Sequence, residues 1–170
     1  SEHKGVSFKR AGTPKMAPPS KEASKSVQVR QAREHDVRKL TELDALCWPG
    51  QWPTPRGLSE EQIRKRVTSF PSGQLVAIQG DDLVGSLYTQ RISAADAVHR
   101  VTFDRALSAH TDHGKVWQLV SVQVHPDCRS MSLGDMLIEA AFSLAKEAGV
   151  QQVVAATRCR EWHTCSKPNG

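Results

Sequence analysis

The residues with the clearest capacity for chemistry lie between Val122 and Leu137, in the segment VQVHPDCRSMSLGDML. An apolar run ends there at Pro126, which cannot donate to a strand ladder, and a helical period begins at Leu133. The pattern predicts a buried strand that leads through a polar turn to the start of a helix. Backbone N–H groups and the positive end of the helix dipole converge at such a junction, which favours binding of a phosphate group.

Three side chains of this turn can add to the backbone donors. Arg129 supplies a cation, and the hydroxyls of Ser130 and Ser132 can donate hydrogen bonds to phosphate oxygens. Any strand-to-helix turn shares part of this geometry without binding a ligand. The spacing alone therefore leaves a purely structural turn as the alternative.

The histidines are weaker candidates for catalysis. We expect His125, before Pro126, to hold a structural position at the end of the strand. His110 and His113 fall in an irregular stretch and are expected to be solvated. His163 and Cys165 could form a Cys/His pair, but a third group that would orient them is not evident in the sequence.

The composition predicts a soluble globular protein in a reducing, cytoplasmic compartment. The chain has 170 residues, of which 38% are hydrophobic and 24% charged, and no apolar run reaches the roughly 18 residues of a spanning helix. A membrane partner is therefore not predicted. The four cysteines show no C-x-x-C pair and no zinc-type His spacing, so we expect free thiols and no metal site.

The positive charge is concentrated at the amino terminus. Residues 1–26 carry a net charge of +4, out of +5 for the whole chain, and are rich in proline and serine. Such a segment cannot bury enough apolar surface to offset its chain entropy. We predict a disordered basic linker or tail there, and the near-neutral remainder does not favour a nucleic-acid partner.

The remaining periodicities predict the elements that hold the junction in place. A strand begins at Val27, a helix behind Asp36 runs to Cys47 and is closed by Pro49, and a second helix begins at Ser59, whose capping-box partner is Glu61 or Gln62. A β-hairpin turns at residues 80–82.

After an irregular excursion over residues 92–114, a near-continuous apolar strand runs from Val116 to Val124. The helix that follows the polar turn is stopped by Gly149, and another strand begins at Val150. A strand, helix and strand at this spacing predict a right-handed crossover with parallel strands.

The order V-x-V-x-P-x-x-R-x-x-x-x-G-x-x-L resembles the acyl-CoA motif of the GNAT superfamily, and the order of elements is similar from Val27 to Cys159. The resemblance implies an α/β fold with a mixed sheet and flanking helices, and acetyl-CoA or another acyl-CoA as substrate. It implies that Val122 and Val124 pair with the pantetheine arm. The pyrophosphate would be held by the turn that follows, namely Arg129, Ser130, Met131, Ser132, Leu133, Gly134 and Asp135.

This turn departs from the family pattern at two positions. Ser130 and Ser132 stand where the family has glycines, and only Gly134 is retained. A Cβ atom restricts close backbone approach and positive φ, so the two serines bear directly on phosphate affinity.

Further segments are most similar to the GNAT-like domains of polyketide synthase loading modules: Leu46-Cys47-Trp48-Pro49, the Ser132-Leu133-Gly134-Asp135 helix start and the segment from Ala156 to Arg160. That likeness implies acyl transfer to the thiol of an acyl carrier protein, with malonyl decarboxylation in some members. It places Trp48 and Thr157 at the acyl group, Trp48 as an apolar wall and Thr157 as a hydrogen-bonding group. Trp52 is the rival for the tryptophan position.

The family fold continues past its fifth strand through a helix and two strands, and that segment usually carries an acid, often a tyrosine or, in the loading-module type, a histidine. Residues 160–170 are too few for those elements and are expected to form a flexible end. Tyr88, the only tyrosine, falls on the early hairpin. We therefore expect a fold cut short after the fifth strand. It would be either an acyltransferase completed by further sequence or a CoA-binding or scaffold domain without turnover.

Overall fold

A computed structural model of the chain describes residues 26–48, 57–100, 107 and 109–156. The predicted tail before residue 26, the predicted end at 160–170, and both Trp52 and Thr157 lie outside the described residues. No helix among the described residues is long and apolar enough to cross a membrane.

The fold is built on one five-stranded sheet in the order β1-β2-β3-β4-β5. Strands β1 to β4 pair antiparallel, and β5 pairs parallel to β4, so the predicted hairpin and the predicted parallel pair are both confirmed. The strands are β1 (Val27–Gln31), β2 (Gln74–Gln79), β3 (Asp82–Ile92), β4 (Val116–Val124) and β5 (Gln152–Ala155).

In the part of the chain that the structure describes, three α-helices flank the sheet, namely α1 (Val37–Cys47), α2 (Glu60–Ser69) and α3 (Leu133–Glu147). The capping box of α2 forms as predicted, with Gln62 as the partner of Ser59. Gly149 has a φ of +65°, which suits the predicted helix stop.

The predicted N-cap at Asp36 is wrong in detail. A short 3₁₀ helix precedes α1, and Asp36 is itself helical and makes no side-chain cap to α1. Its buried carboxylate accepts the Arg33 N–H and pairs with the Arg30 guanidinium at 2.7 Å. The Asp36 carboxylate therefore stabilises the 3₁₀ turn that precedes α1, whereas the prediction placed it at the first turn of α1 itself. The difference arises because the chain adopts 3₁₀ geometry before the α-helix begins.

The two faces of the sheet carry separate apolar clusters. Helices α1 and α2 pack on one face, where Leu40, Ile63 and Val76 are fully buried. Helix α3 packs on the other face, where Leu137 contacts the cluster that contains Ala77 and Leu87. Because α3 directly follows the polar turn, its packing fixes where that turn ends.

Replacing Leu137 by alanine tests how strongly α3 is anchored. The side chain is 0% exposed, so the truncation removes apolar contacts and leaves a cavity, which should lower the free energy of unfolding by about 2–5 kcal/mol. Met136, the preceding residue, is 37% exposed, and Met136→Ala should change the free energy of unfolding by less than about 1 kcal/mol. Urea denaturation measures both, and equal losses would show that α3 is not anchored through Leu137.

Candidate functional site

The outer edge of β4 is only partly covered. Strand β5 pairs with the first four residues of β4, from Val116↔Gln152 to Leu119↔Ala155, and then ends. Within the described residues, Val120–Val124 therefore has a sheet neighbour on the β3 side alone. An extended ligand with amide groups can pair with such an edge as an additional strand does.

The hydrogen bonds on the β3 side show which backbone groups face this open edge. The His125 N–H donates to the Val84 carbonyl at 2.8 Å, so the backbone of His125 points toward β3. Backbone groups of successive strand residues alternate in direction. The N–H and C=O groups of Val122 and Val124 therefore point to the open edge, as the prediction for these two residues requires.

A β-bulge lies where β5 ends. Tyr88 pairs with Ser121 and Thr89 pairs with Leu119, so Val120 is the extra residue of β4. A bulge increases the local twist and bends the strand that carries it. The bend lies where the open edge Val120–Val124 begins. It therefore marks the end of the candidate ligand-binding edge that lies next to β5.

The predicted polar turn is a 3₁₀ helix, Pro126–Met131, that ends at Ser132. Ser132 has a φ of +53° and a ψ of +26°, and it is the one non-glycine residue with positive φ in the described part of the chain. The left-handed conformation costs a residue with a Cβ roughly 1–2 kcal/mol. Ser132 therefore adopts a backbone conformation that glycine favours.

The start of α3 offers backbone donors. The Ser132 side chain does not cap the helix, and the first N–H groups of an α-helix lack acceptors inside it. A Cβ built on Gly134 would meet only Val122 Cγ1, at 3.9 Å. The space at the Cβ position of Gly134 is therefore nearly open, and its one neighbour is the Val122 side chain, so the helix start lies next to β4.

The other predicted phosphate-site residues differ in exposure. Arg129 and Ser130 are exposed, and Met131 is 40% exposed. Leu133 is buried in the α3 cluster, so only its backbone is available to a ligand. Asp135 is exposed in the first turn of α3, where a carboxylate stabilises the helix but opposes a phosphate.

The end of α1 lies against the same edge of β4. The Cys47 thiol donates to the Val124 carbonyl with a sulfur-to-oxygen distance of 3.4 Å. Burial raises the pKa of Cys47, although the charge of Arg129 opposes the rise, so the thiol remains a donor at neutral pH. Trp48 follows at the end of the helix, 38% exposed, with its N–H bonded to the Asp44 carbonyl. Thr157, its predicted companion, lies outside the described residues.

A buried polar cluster behind β4 was missed by the sequence reasoning. It comprises Asp44, Arg66, Ser86, Tyr88 and Gln123, all between 0% and 2% exposed. Burial raises the pKa of Asp44, while hydrogen bonds from Leu58 and Gln123 and the charge of Arg66 oppose the rise. Burial also raises the pKa of Tyr88, whose ring lies 5.6 Å from the Arg66 guanidinium. The sequence did carry a signal for this cluster. Asp44 occupies a position in the apolar stripe of α1, where a charged residue is unexpected.

The predictions for three histidines can be compared with the structure. His125 holds a structural position, because its ring Nδ1 accepts the Asp127 N–H at 3.3 Å and caps the 3₁₀ turn. The prediction for His110 is wrong. Its ring packs on Phe70 at 4.8 Å and accepts the Arg91 N–H, whereas His113 is exposed as expected.

Comparison with protein families gives a match to the acetyltransferase (GNAT) family over residues 37–164. The loading GNATL domain of CurA from Lyngbya majuscula is 30% identical, with a TM-score of 0.74 over 85% of this chain and 71% of that chain. The GphF GNAT-like decarboxylase, solved in complex with isobutyryl-CoA, is also 30% identical. It has a TM-score of 0.71 and aligns with 81% of this chain and 69% of that chain.

A curated relative is much longer than this chain. The probable hydrolase YhcX of Bacillus subtilis (strain 168) is 27% identical over 144 residues, which cover 82% of this chain. The same residues are 27% of YhcX. The chain therefore spans about a quarter of this relative's length.

The positive φ of Ser132 predicts a position-specific sensitivity to branched side chains. Valine tolerates the left-handed region poorly, so Ser132→Val should lower the free energy of unfolding by about 1–2 kcal/mol. Ser130 is exposed too but has no positive φ, and Ser130→Val should cost less than about 0.5 kcal/mol. The comparison is made by urea denaturation without ligand. Equal costs would contradict a strained backbone at Ser132.

Proposed function

Because this chain belongs to the acetyltransferase (GNAT) family, we propose that it binds acyl-CoA along the open edge of β4 and transfers the acyl group to an amine or to the thiol of a carrier protein. The observation that carries the proposal is the open stretch Val120–Val124 next to the start of α3. The edge suits the two amides of pantetheine, and the helix start suits the pyrophosphate.

The proposed binding mode gives each part of the ligand a partner. The pyrophosphate meets the backbone donors at the start of α3 and the cation of Arg129. The pantetheine amides pair with the backbone of Val122 and Val124. The thioester then lies near the bulge of β4, and Trp48 contacts the acyl group. The GphF structure with isobutyryl-CoA supports an acyl-CoA ligand for a protein of this fold.

Acyl transfer in this site requires attack on the thioester carbonyl. The acceptor's nitrogen or sulfur loses a proton and forms a bond to the carbonyl carbon, the carbon–sulfur bond to CoA breaks, and the departing thiolate takes up a proton. A backbone N–H of β4 near Val122 can stabilise the oxyanion that forms meanwhile. Thr157 remains the proposed hydrogen-bonding partner near the thioester.

Assays with different substrates distinguish the possible acyl donors and acyl acceptors. Release of CoA thiol is followed with acetyl-CoA or malonyl-CoA, in the presence of an amine or a carrier-protein thiol. Transfer to the carrier thiol supports a loading role like that of the loading GNATL domain of CurA. CoA binding without any transfer would replace the proposal by the alternative, a CoA-binding or scaffold domain.

Gly134 gives the sharpest test of the phosphate site. Gly134→Glu places a carboxylate at the start of α3, while the open space there lets the side chain fit without distorting the fold. We expect acetyl-CoA binding to fall at least about 100-fold in calorimetry, because the anion repels the pyrophosphate. Gly134→Ala, which adds only the tolerated Cβ, should bind within about threefold of the parent. Equal binding by both variants would place the phosphate elsewhere.

Trp48 should matter for the acyl group but not for CoA itself. Trp48→Ala removes the proposed apolar wall, so the affinity for acetyl-CoA should fall about tenfold while that for free CoA changes less than about threefold. Leu46 is an exposed apolar residue two positions earlier and serves as the control, with no expected effect of Leu46→Ala on either ligand. Equal losses for both ligands, or none, would remove Trp48 from the acyl site.

A further inference from the structure

The buried carboxylate of Asp44 connects three segments that meet at the candidate site. It accepts the Leu58 N–H at 2.5 Å, and it also accepts a hydrogen bond from the Gln123 side-chain amide. Asp44 belongs to the last turns of α1, directly before Cys47 and Trp48. Leu58 lies where the described chain resumes after residues 49–56, and Gln123 belongs to β4.

Gln123 lies between the two residues whose backbone faces the open edge. Its side chain projects to the opposite side of the sheet from α3, where its Oε1 also accepts the Ser86 hydroxyl at 3.1 Å. The amide oxygen and the amide nitrogen of Gln123 are therefore both hydrogen-bonded within the protein. The amide can neither rotate nor withdraw without breaking a buried hydrogen bond.

The close fit around Asp44 leaves little freedom for the carboxylate. A Cβ added to Gly57 would lie 2.1 Å from Asp44 Oδ2, and Gly57 has a φ of +74°. Glycine therefore permits the backbone to approach the carboxylate and to turn away from it. A buried charge is costly, and the two directed hydrogen bonds and the nearby cation of Arg66 offset that cost only in part, since the pKa of Asp44 is still raised.

We propose that Asp44 is a positioning residue that fixes the wall of the acyl pocket to the ligand-pairing stretch of β4 through Gln123. This inference rests on the proposed function, because it assumes that the open edge of β4 receives acyl-CoA. The carboxylate itself does not touch the ligand. It sets the spacing between Trp48 and Val122–Val124, and that spacing determines which acyl group fits.

The link should affect acyl recognition more than CoA recognition. The pyrophosphate site is formed by the polar turn and α3, which pack on the other face of the sheet. Pairing with β3 also holds β4 in place without Asp44. The end of α1 and the segment at Leu58 lack such a ladder, so they move when the link is lost.

The test uses three variants of the full chain and calorimetry with acetyl-CoA and with free CoA. Gln123→Met keeps the size of the side chain but cuts the bond to Asp44, and Asp44→Ala cuts both bonds. We expect each to weaken acetyl-CoA binding about tenfold and CoA binding less than threefold. Glu42→Ala, which removes an exposed carboxylate from the same helix, is the control and should change neither.

Asp44→Asn separates position from charge. The Gln123 amide can rotate so that its oxygen accepts a hydrogen bond from the new asparagine and its nitrogen donates to the Ser86 hydroxyl, so the link from position 44 to β4 is kept. Asp44→Asn should therefore bind acetyl-CoA within about threefold of the parent. A loss as large as that of Asp44→Ala would show that the charge matters and would overturn the positioning role, as would equal losses of both ligands in Gln123→Met.

Hydrogen exchange in the ligand-free protein tests the link independently of binding. Gln123→Met should speed exchange at the Leu58 amide and at the Trp48 amide, which bonds to the Asp44 carbonyl. Unchanged exchange at both amides would overturn the link, even if Asp44→Ala fails to fold. A parent chain that binds neither ligand, but whose exchange responds in this way, would overturn the proposed function instead and with it the role of the link in acyl recognition.

Discussion

The candidate site depends on the unequal pairing of β4. This strand has nine residues, and β5 covers only the first four of them. Backbone N–H and C=O groups are strong hydrogen-bonding groups that need partners, from the protein, from water or from a ligand. The Val122 N–H and C=O and the Val124 N–H, which face the open edge, therefore suit an extended, amide-containing molecule, while the Val124 carbonyl accepts a hydrogen bond from the Cys47 thiol. The bulge at Val120 sets where this open edge begins.

The surrounding structure serves to present that edge. Helix α3 packs on one face of the sheet and brings its first turn to the outer end of the open edge, where Gly134 leaves room. Helix α1 packs on the other face and brings Cys47 and Trp48 to the edge. In the proposed binding mode the two helices therefore meet different parts of an acyl-CoA. This division explains why phosphate binding and acyl recognition should respond to different substitutions.

The sequence predicted the strands and helices well, because their apolar periods are regular and their ends carry clear signals such as Ser59 and Gly149. It predicted the junction from Val122 to Leu137 for the same reason. It did not predict the conformation of Ser132, since a left-handed serine follows from the packing of α3 and the 3₁₀ turn rather than from local preference. The hydrogen bonds of Asp44 and Gln123 join residues 79 positions apart, a distance at which local patterns carry no information.

In the proposed binding mode, acyl-CoA lies along the open edge of β4 with its pyrophosphate at the start of α3. This placement can be mapped by titrating the isotope-labelled chain with acetyl-CoA and following the backbone amides by NMR. The largest shifts are expected at the amides of Val122, Val124, Gly134 and Asp135, with little change at Ala77, which lies inside the sheet. Shifts confined to residues away from β4 and the start of α3, or the absence of any shift at saturating ligand, would contradict it.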